Sequence, residues 1–361
     1  MTDPSVGAGR ELPRWRAVSN RRRQIACLGD SLTQGAIGLD RSRGPAGWVE
    51  QLAASFDTTT APRPGDGFRG LWRIDEWSRV GAWTRVEPSE TFDTAPFGQG
   101  WYSSGSTLDS ITWTKPAPMN VVAFDIYSFH MPGAGRWQYR VDDGRWTNVD
   151  APSGPADCRL SRLLVRTPVQ SCVKIRGHDG TSPCLAPIAG LATHAIAPPA
   201  PGGVVVHNLG SDRQLLATFV RPTAGDALAL LDDLRPDLLT VMFSNDVLRR
   251  LPAAYGEQLV ALVEHVRPYA DVLIMGPFEQ AGTRDAAMQA SYRLEAKAAA
   301  AATSCAFMDL FDEWGALAGR GWEAAMSFGL MHDELHPSQA GQDDIATRVR
   351  ALLTRADTIA R

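Results

Sequence analysis

The residues of this chain best suited to covalent chemistry are Ser31, Asp333 and His336, with Gly210 and Asn245 as possible partners. Ser31 stands in Gly29-Asp30-Ser31-Leu32-Thr33, directly after the short apolar run Ile25-Ala26-Cys27-Leu28. A serine hydroxyl does not ionise usefully near neutral pH, so it needs a histidine to take its proton and a carboxylate to hold that histidine's tautomer. Asp333-Glu334-Leu335-His336-Pro337 supplies such a pair, at a spacing of three residues that can bring the carboxylate under one ring nitrogen. Attack on an ester carbonyl creates an oxyanion, which requires donors already in place. The backbone N–H of Ser31, the N–H of Gly210 after Val204-Val205-Val206-His207-Asn208-Leu209, and the side-chain amide of Asn245 are the candidates. Asp30, Thr33 and Asp246 read as hydrogen-bonding groups that fix loops. His332, beside Asp333, is a weaker alternative base because its spacing is poorer.

These groups are far apart in sequence, so the fold must bring them to one edge. Residues 25–28 read as a buried strand, and Trp48, Val49, Leu52, Ala53 and Phe56 fall at helical spacing. From Val204 onward, apolar runs alternate with helical patterns: strands at VVVHNLG, DLLTVMFSND, DVLIMGPFE and CAFMDL, and helices near 212–220, 253–267, 284–302 and 338–355. This βα alternation implies a parallel sheet with helices on both faces, with ligands at the carboxyl ends of the strands. Residues 58–199 differ. They carry seven of the eleven tryptophans and short alternating segments broken by Gly, Pro and Asp, with strands expected at 119–129, 162–167, 172–177 and 188–196. The arms 137–141 and 145–149 flank Asp142-Asp143-Gly144, where Asp-Gly would supply the positive φ of a tight hairpin. The expected organisation is an N-terminal arm at 1–24, an α/β catalytic domain at 25–57 and 200–361, and an inserted β-sandwich at 58–199.

Composition narrows the function classes. A net charge of −4 on 361 residues is too weak a field to steer the chain onto nucleic acid, and no run of about 18 apolar residues is present to span a membrane. Arg14, Arg16, Arg21, Arg22 and Arg23 read as a solvated, partly ordered arm. The opening residues lack the apolar core of a secretory signal, which reads as cytoplasmic, although a chain trimmed of its leader would look the same. Cys27, Cys158, Cys172, Cys184 and Cys305 are odd in number and show no CxxC pairing, which argues against a zinc knuckle or a disulfide framework. His130, His178, His194, His207 and His265 lack ligand spacing, so neither metal nor cofactor is expected. The insert's Trp72, Trp77, Trp83, Trp101, Trp113, Trp137 and Trp146 read as sandwich core before they read as a sugar-stacking platform.

The ordered set Gly29-Asp30-Ser31-Leu32-Thr33, Gly210, Asn245 and Asp333-x-x-His336 resembles the SGNH (GDSL-type) hydrolases over residues 25–57 and 200–355. The resemblance implies a flavodoxin-like α/β/α sandwich. It implies Ser31 as nucleophile, His336 and Asp333 as base and orienting acid, and Ser31, Gly210 and Asn245 as the oxyanion hole. The activity implied is that of an esterase or deacetylase on a short O-acyl ester of a carbohydrate or natural product. An acyltransferase at the same site, or a noncatalytic glycan-binding protein on the same fold, are the alternatives. One departure stands out: Phe243 occupies the position where the family's third block carries glycine. Either the backbone there does not need glycine, or Phe243 narrows the acyl site. The YRVDDGRWTNV segment is also similar to hairpins of jelly-roll modules that accompany carbohydrate esterases.

Overall fold

The computed structural model describes residues 12–18, 21–35, 47–56, 67–70, 76–86, 100–103, 109–117, 119–129, 135–150, 160–177, 188–194, 203–210, 214–220, 228–249, 251–281 and 285–358. Two compact units emerge, one of Met1–Thr59, Pro201–Val220 and Leu234–Arg361, the other of Thr60–Ala200 and Arg221–Asp233.

The first unit is built on a parallel sheet of β1 (Arg23–Gly29), β2 (Val204–Gly210), β3 (Leu238–Met242), β4 (Asp271–Gly276) and β5 (Ala306–Asp309). Its spatial order is β2-β1-β3-β4-β5. This is the doubly wound, flavodoxin-like order, and its switch point lies at the carboxyl ends of β1 and β3. Both β3 and β4 are buried along their whole length, as strands covered on two faces must be. The core gathers Ile25, Cys27, Leu238, Met242 and Leu273 with Trp48, Phe278 and Trp314 from the surrounding helices and loops. Burial pushes the Cys27 thiol up to about 12, which leaves it a core residue and not a nucleophile. The expected helices lie at Trp48–Ser55, Leu216–Val220, Pro252–Val266, Ala286–Thr303 and Gln339–Thr358. Helices at Ala229–Leu234, Leu310–Ala318 and Trp322–Ser327 were not expected from the sequence.

The arginine-rich stretch requires a correction in part: Arg14 and Arg21 are exposed, but Arg22 is buried and Arg16 and Arg23 are half-buried. Leu12 and Trp15 are fully buried, in and around the short helix Pro13–Ala17. Arg21 pairs with Asp237, and Arg23 pairs with Asp357 while lying 4.7 Å from the Trp15 ring centroid. The Trp15 N–H donates to Asp271 Oδ2 at 2.9 Å. Burial pushes the Asp271 carboxyl up to about 6, against the lowering effect of the Trp15 and Arg14 backbone N–H groups. A raised acid binds more protons in the folded state, so its penalty is absent below the unfolded value and complete above about 6. Asp271→Asn should therefore gain stability relative to the natural chain as pH rises from 4 to 7, measured by urea unfolding. An equal difference at both pH values would contradict this.

The second unit consists of two antiparallel sheets. One runs Leu160–Val165, Ala123–Phe129, Ile188–His194, Gly100–Ser103, Trp83–Val86, with Gly67–Gly70 also on Ile188–His194. The other runs Trp77–Val80, Ser110–Thr114, Cys172–Gly177, Arg136–Val141, Thr147–Asp150. Their facing sides share one core that includes Phe124, Ile126 and Leu191 from the first sheet and Trp113, Trp137 and Val173 from the second. Trp77 joins this core and Trp83 packs on it, whereas Trp146 stays partly exposed. Trp72, the Trp101 side chain, His130, His178, Cys158 and Cys184 lie outside the described residues.

The hairpin turn also differs from expectation. Cross-strand pairing ends at Tyr139 with Thr147, and positive φ falls on Asp142 (φ 50), not on Gly144. The Asp142 carboxylate accepts from the N–H groups of Gln170, Ser171 and Cys172. Those bonds hold it in a left-handed conformation that an aspartate tolerates.

Candidate active site

In the sheet register Gly29 is flanked by Gly210 on one side and Met242 on the other. The chain therefore leaves β1, β2 and β3 at one level, and Ser31, Gly210 and Asn245 come off neighbouring strands at the same edge. A Cβ on Gly29 would stand 2.1 Å from Thr33 Oγ1 and 2.2 Å from the Met242 carbonyl, so only glycine permits the turn that follows. Asp30 caps the short helix Ser31–Gln34, accepting from the Leu32 N–H at 3.0 Å. Ser31 is the first residue of that helix, with 8% of its surface exposed. Its N–H has no acceptor among the described residues.

Asp30 is fully buried, and its second oxygen ties this turn to the loop after β3. Oδ2 accepts from the Ser244 N–H (2.7 Å), the Ser244 hydroxyl (2.8 Å) and the Asn245 N–H (3.0 Å). Asn245 opens a short 3-10 helix, Asn245–Arg249. Asp246 is buried and accepts from the Leu216 N–H at 2.9 Å, and the Thr33 hydroxyl reaches the Met242 carbonyl at 3.5 Å. Phe243 lies outside the left-handed region and is buried, so this backbone does not require glycine.

Gly210 approaches the helix so closely that a Cβ would stand 2.1 Å from the Gln34 nitrogen. Its N–H donates to Asn208 Oδ1 at 3.0 Å, and Asn208 Nδ2 donates to Glu50 Oε1 at 3.0 Å. The expected oxyanion donor is thus already engaged by a side chain that the sequence did not single out. Gly210→Ala should destabilise the fold by about 2 kcal/mol or prevent its accumulation, readable by thermal unfolding. An unchanged melting temperature would contradict the close approach.

The His336 ring is held by Asp333, whose two oxygens both lie 3.2 Å from Nδ1. Asp333 Oδ1 also accepts from the N–H groups of Leu335 (2.8 Å) and His336 (2.7 Å). Partial burial pushes the Asp333 carboxyl up, but these backbone bonds and the imidazole outweigh it and hold the group below its usual range. His336 Nε2 has no hydrogen-bond partner among the described residues, and Ser31 Oγ and His336 are not hydrogen-bonded to each other. His332 is exposed and its N–H donates to the His336 carbonyl at 2.9 Å; its ring makes no bond to Asp333.

Two sets of contacts carry this loop to the sheet edge. The Ser31–Gln34 helix ends at Gly35 (φ 88), which abuts Gly47, and Gly47 caps the helix Trp48–Ser55. The Trp48 N–H donates to Gln342 Oε1 at 2.9 Å, in the first turn of the helix that follows His336. From the loop after β4, Gln280 Nε2 donates to the Leu335 carbonyl (2.9 Å) and the Ala281 N–H to the Glu334 carbonyl (2.8 Å). Gln280 is itself fixed by Gln289, which accepts from its N–H and donates to its carbonyl. Gln280→Ala should lower kcat by about tenfold with KM little changed. A loss confined to KM would contradict a role in positioning His336. No signal in the sequence pointed to Gln280, Gln289, Gln342 or Asn208.

Among the described residues, no group of three or more His, Cys, Asp or Glu is placed to hold a metal ion, and no helix is long and apolar enough to cross a membrane.

No curated protein matches this chain. A solved structure of a peptidoglycan O-acetylesterase is similar over 96% of both chains, at 16% identity and a TM-score of 0.68. Smaller similarities include a lipase/acylhydrolase from Enterococcus faecalis (21% identity, 43% of this chain and 78% of that one, TM-score 0.35). Another is the acetylxylan esterase Axe2 from Geobacillus stearothermophilus (23% identity, 42% and 73%, TM-score 0.35). The model of the GDSL-like Lipase/Acylhydrolase family matches residues 190–343, a span that begins within the strand Ile188–His194 of the β-rich unit, holds Gly210, Asn245, Asp333 and His336, and does not include Ser31. Over that span, and in the order of its motifs, this chain is similar to the GDSL-like Lipase/Acylhydrolase family.

Proposed function

We propose that the chain is a metal-independent serine esterase that removes a short O-acyl group from a carbohydrate ester. The observation that carries the reading is the His336 ring, engaged through Nδ1 by both Asp333 oxygens with Nε2 left open as a base. In the reaction, His336 Nε2 takes the Ser31 hydroxyl proton as Oγ bonds to the acyl carbon. The carbonyl electrons move to oxygen, where the Ser31 N–H and the Asn245 amide stabilise the oxyanion. The Gly210 N–H joins them only by exchanging Asn208 Oδ1 for the oxyanion. The tetrahedral intermediate then expels the alcohol, which receives the proton from His336. Water, deprotonated by the same ring, releases the carboxylic acid and restores Ser31.

The carbohydrate part of the proposal draws on the peptidoglycan O-acetylesterase whose structure is similar along nearly the whole chain. Buried Phe243 beside the oxyanion loop is in keeping with a small acyl group. The test is hydrolysis of p-nitrophenyl acetate, butyrate and octanoate, followed by acetate release from O-acetylated glycans. The expected result is kcat/KM highest for acetate and free acid as the product. Acyl transfer to an added sugar without free acid would make the protein a transferase. No turnover of any ester would overturn the reading.

A further inference from the structure

The β-rich unit carries a cationic face that the ester chemistry does not use. In the strand Cys172–Gly177, Val173 and Ile175 point into the core between the sheets, so Lys174 and Arg176 lie on the opposite face. In Arg136–Val141, Trp137 packs in that core, which puts Gln138 and Arg140 on the same outer face. Lys174 stands directly across from Arg140, and Arg176 directly across from Gln138. Like charges directly opposite in a sheet destabilise it, yet among the described residues no carboxylate pairs with either. The five strands of the sheet contain one acidic residue, Asp150, and Arg136 holds it at 2.7 Å. Among the described residues Lys174, Arg140 and Arg176 form no ion pair, and Arg140 Nε has no hydrogen-bond partner.

Two of these cations are also held in place. The guanidinium carbons of Arg176 and Arg140 lie 4.0 and 5.0 Å from the ring centroid of Trp146. Arg176 Nε donates to Gln138 Oε1 at 2.8 Å, and Gln138 Nε2 donates to Asn148 Oδ1 at 2.7 Å. The result is a row of oriented donors interspersed with neutral amides, and among the described strands of this sheet Asp150, already paired with Arg136, is the one negative charge.

We propose that this face binds an anionic polysaccharide, a glycan whose sugars carry carboxylates. The forked guanidinium matches a carboxylate, and the amides of Gln138 and Asn148 suit neighbouring sugar hydroxyls. A single-stranded nucleic acid fits less well, because it needs open aromatic faces for its bases, and here both guanidiniums lie over the indole. The net charge of −4 also opposes a polyphosphate.

The test is binding of a polyuronate, oligogalacturonate, to the full chain by calorimetry, beside dextran and single-stranded DNA. The expected result is uronate binding that weakens with salt, no dextran binding, and DNA binding weaker than uronate. Lys174→Gln, which leaves the Trp146 stack intact, should weaken uronate binding several-fold, and Lys174→Gln with Arg140→Gln by at least about tenfold. The melting temperature should not fall in either variant, because both relieve the repulsion between Lys174 and Arg140, and p-nitrophenyl acetate hydrolysis should be unchanged. Absence of uronate binding, equal binding of dextran, tighter binding of DNA, or binding indifferent to both variants would overturn the proposal. Because hydrolysis is read separately, failure of the esterase reading would show as lost turnover with uronate binding intact.

Discussion

Ser31→Ala should lower kcat for p-nitrophenyl acetate by on the order of a million-fold, and His336→Ala by a similar factor, while the double variant falls little further. Removing either the nucleophile or its base dismantles one proton relay, so the two losses do not add. Asp333→Ala should cost less, because His336 keeps its ring but loses the acceptors on Nδ1. Each variant should keep its melting temperature to within a few degrees, since Ser31 and His336 lie at the edge of the sheet and not in its core. The measurement is steady-state kinetics with circular dichroism as the control. Additive losses would mean that the two side chains act independently.

Asp30→Ala carries the second large effect, and it acts on folding and catalysis together. The buried carboxylate accepts from Leu32, from Ser244 twice and from Asn245. Its removal strands those donors at a buried position. A loss of about 4 kcal/mol in stability is expected, from roughly 1–3 kcal/mol for a buried donor left unpaired. Because Asp30 fixes both the Ser31 turn and the Asn245 loop, kcat should also fall by about a hundredfold in the fraction that folds, as when an oxyanion donor is lost. Asp30→Asn keeps the shape but turns one acceptor into a donor, so it should fall between the two. Urea unfolding and kinetics on the same preparations separate the effects. A folded Asp30→Ala protein with natural kcat would show that the carboxylate positions neither group.

The sheet was legible because its strands are near-continuous apolar runs, which a strand buried on both faces requires. Within the candidate site the Asp333–His336 contact was legible because the two are three residues apart, so local spacing carries their geometry, and the place of Ser31 was legible because it follows the end of β1. What escaped the sequence depends on partners distant along the chain. Trp15 sits among arginines and reads as part of a loose arm, yet those arginines meet Asp237 and Asp357 more than two hundred residues away. Gln280 and Asn208 are ordinary amides until the fold sets them against the Leu335 carbonyl and the Gly210 N–H. The helix Leu310–Ala318 was missed because β5 runs into it without a loop, Asp309 both ending the strand and capping the helix. At Asp142 the expected turn gave way to a longer one, because the carboxylate found N–H groups on Gln170, Ser171 and Cys172.

The most direct test of the central claim is reaction with a fluorophosphonate followed by peptide mapping, because only an activated serine displaces fluoride from phosphorus at neutral pH. The account predicts a single adduct on the peptide containing Ser31, absent from Ser31→Ala and strongly slowed in His336→Ala. An adduct on another serine, or labelling of Ser31 at the same rate without His336, would contradict it.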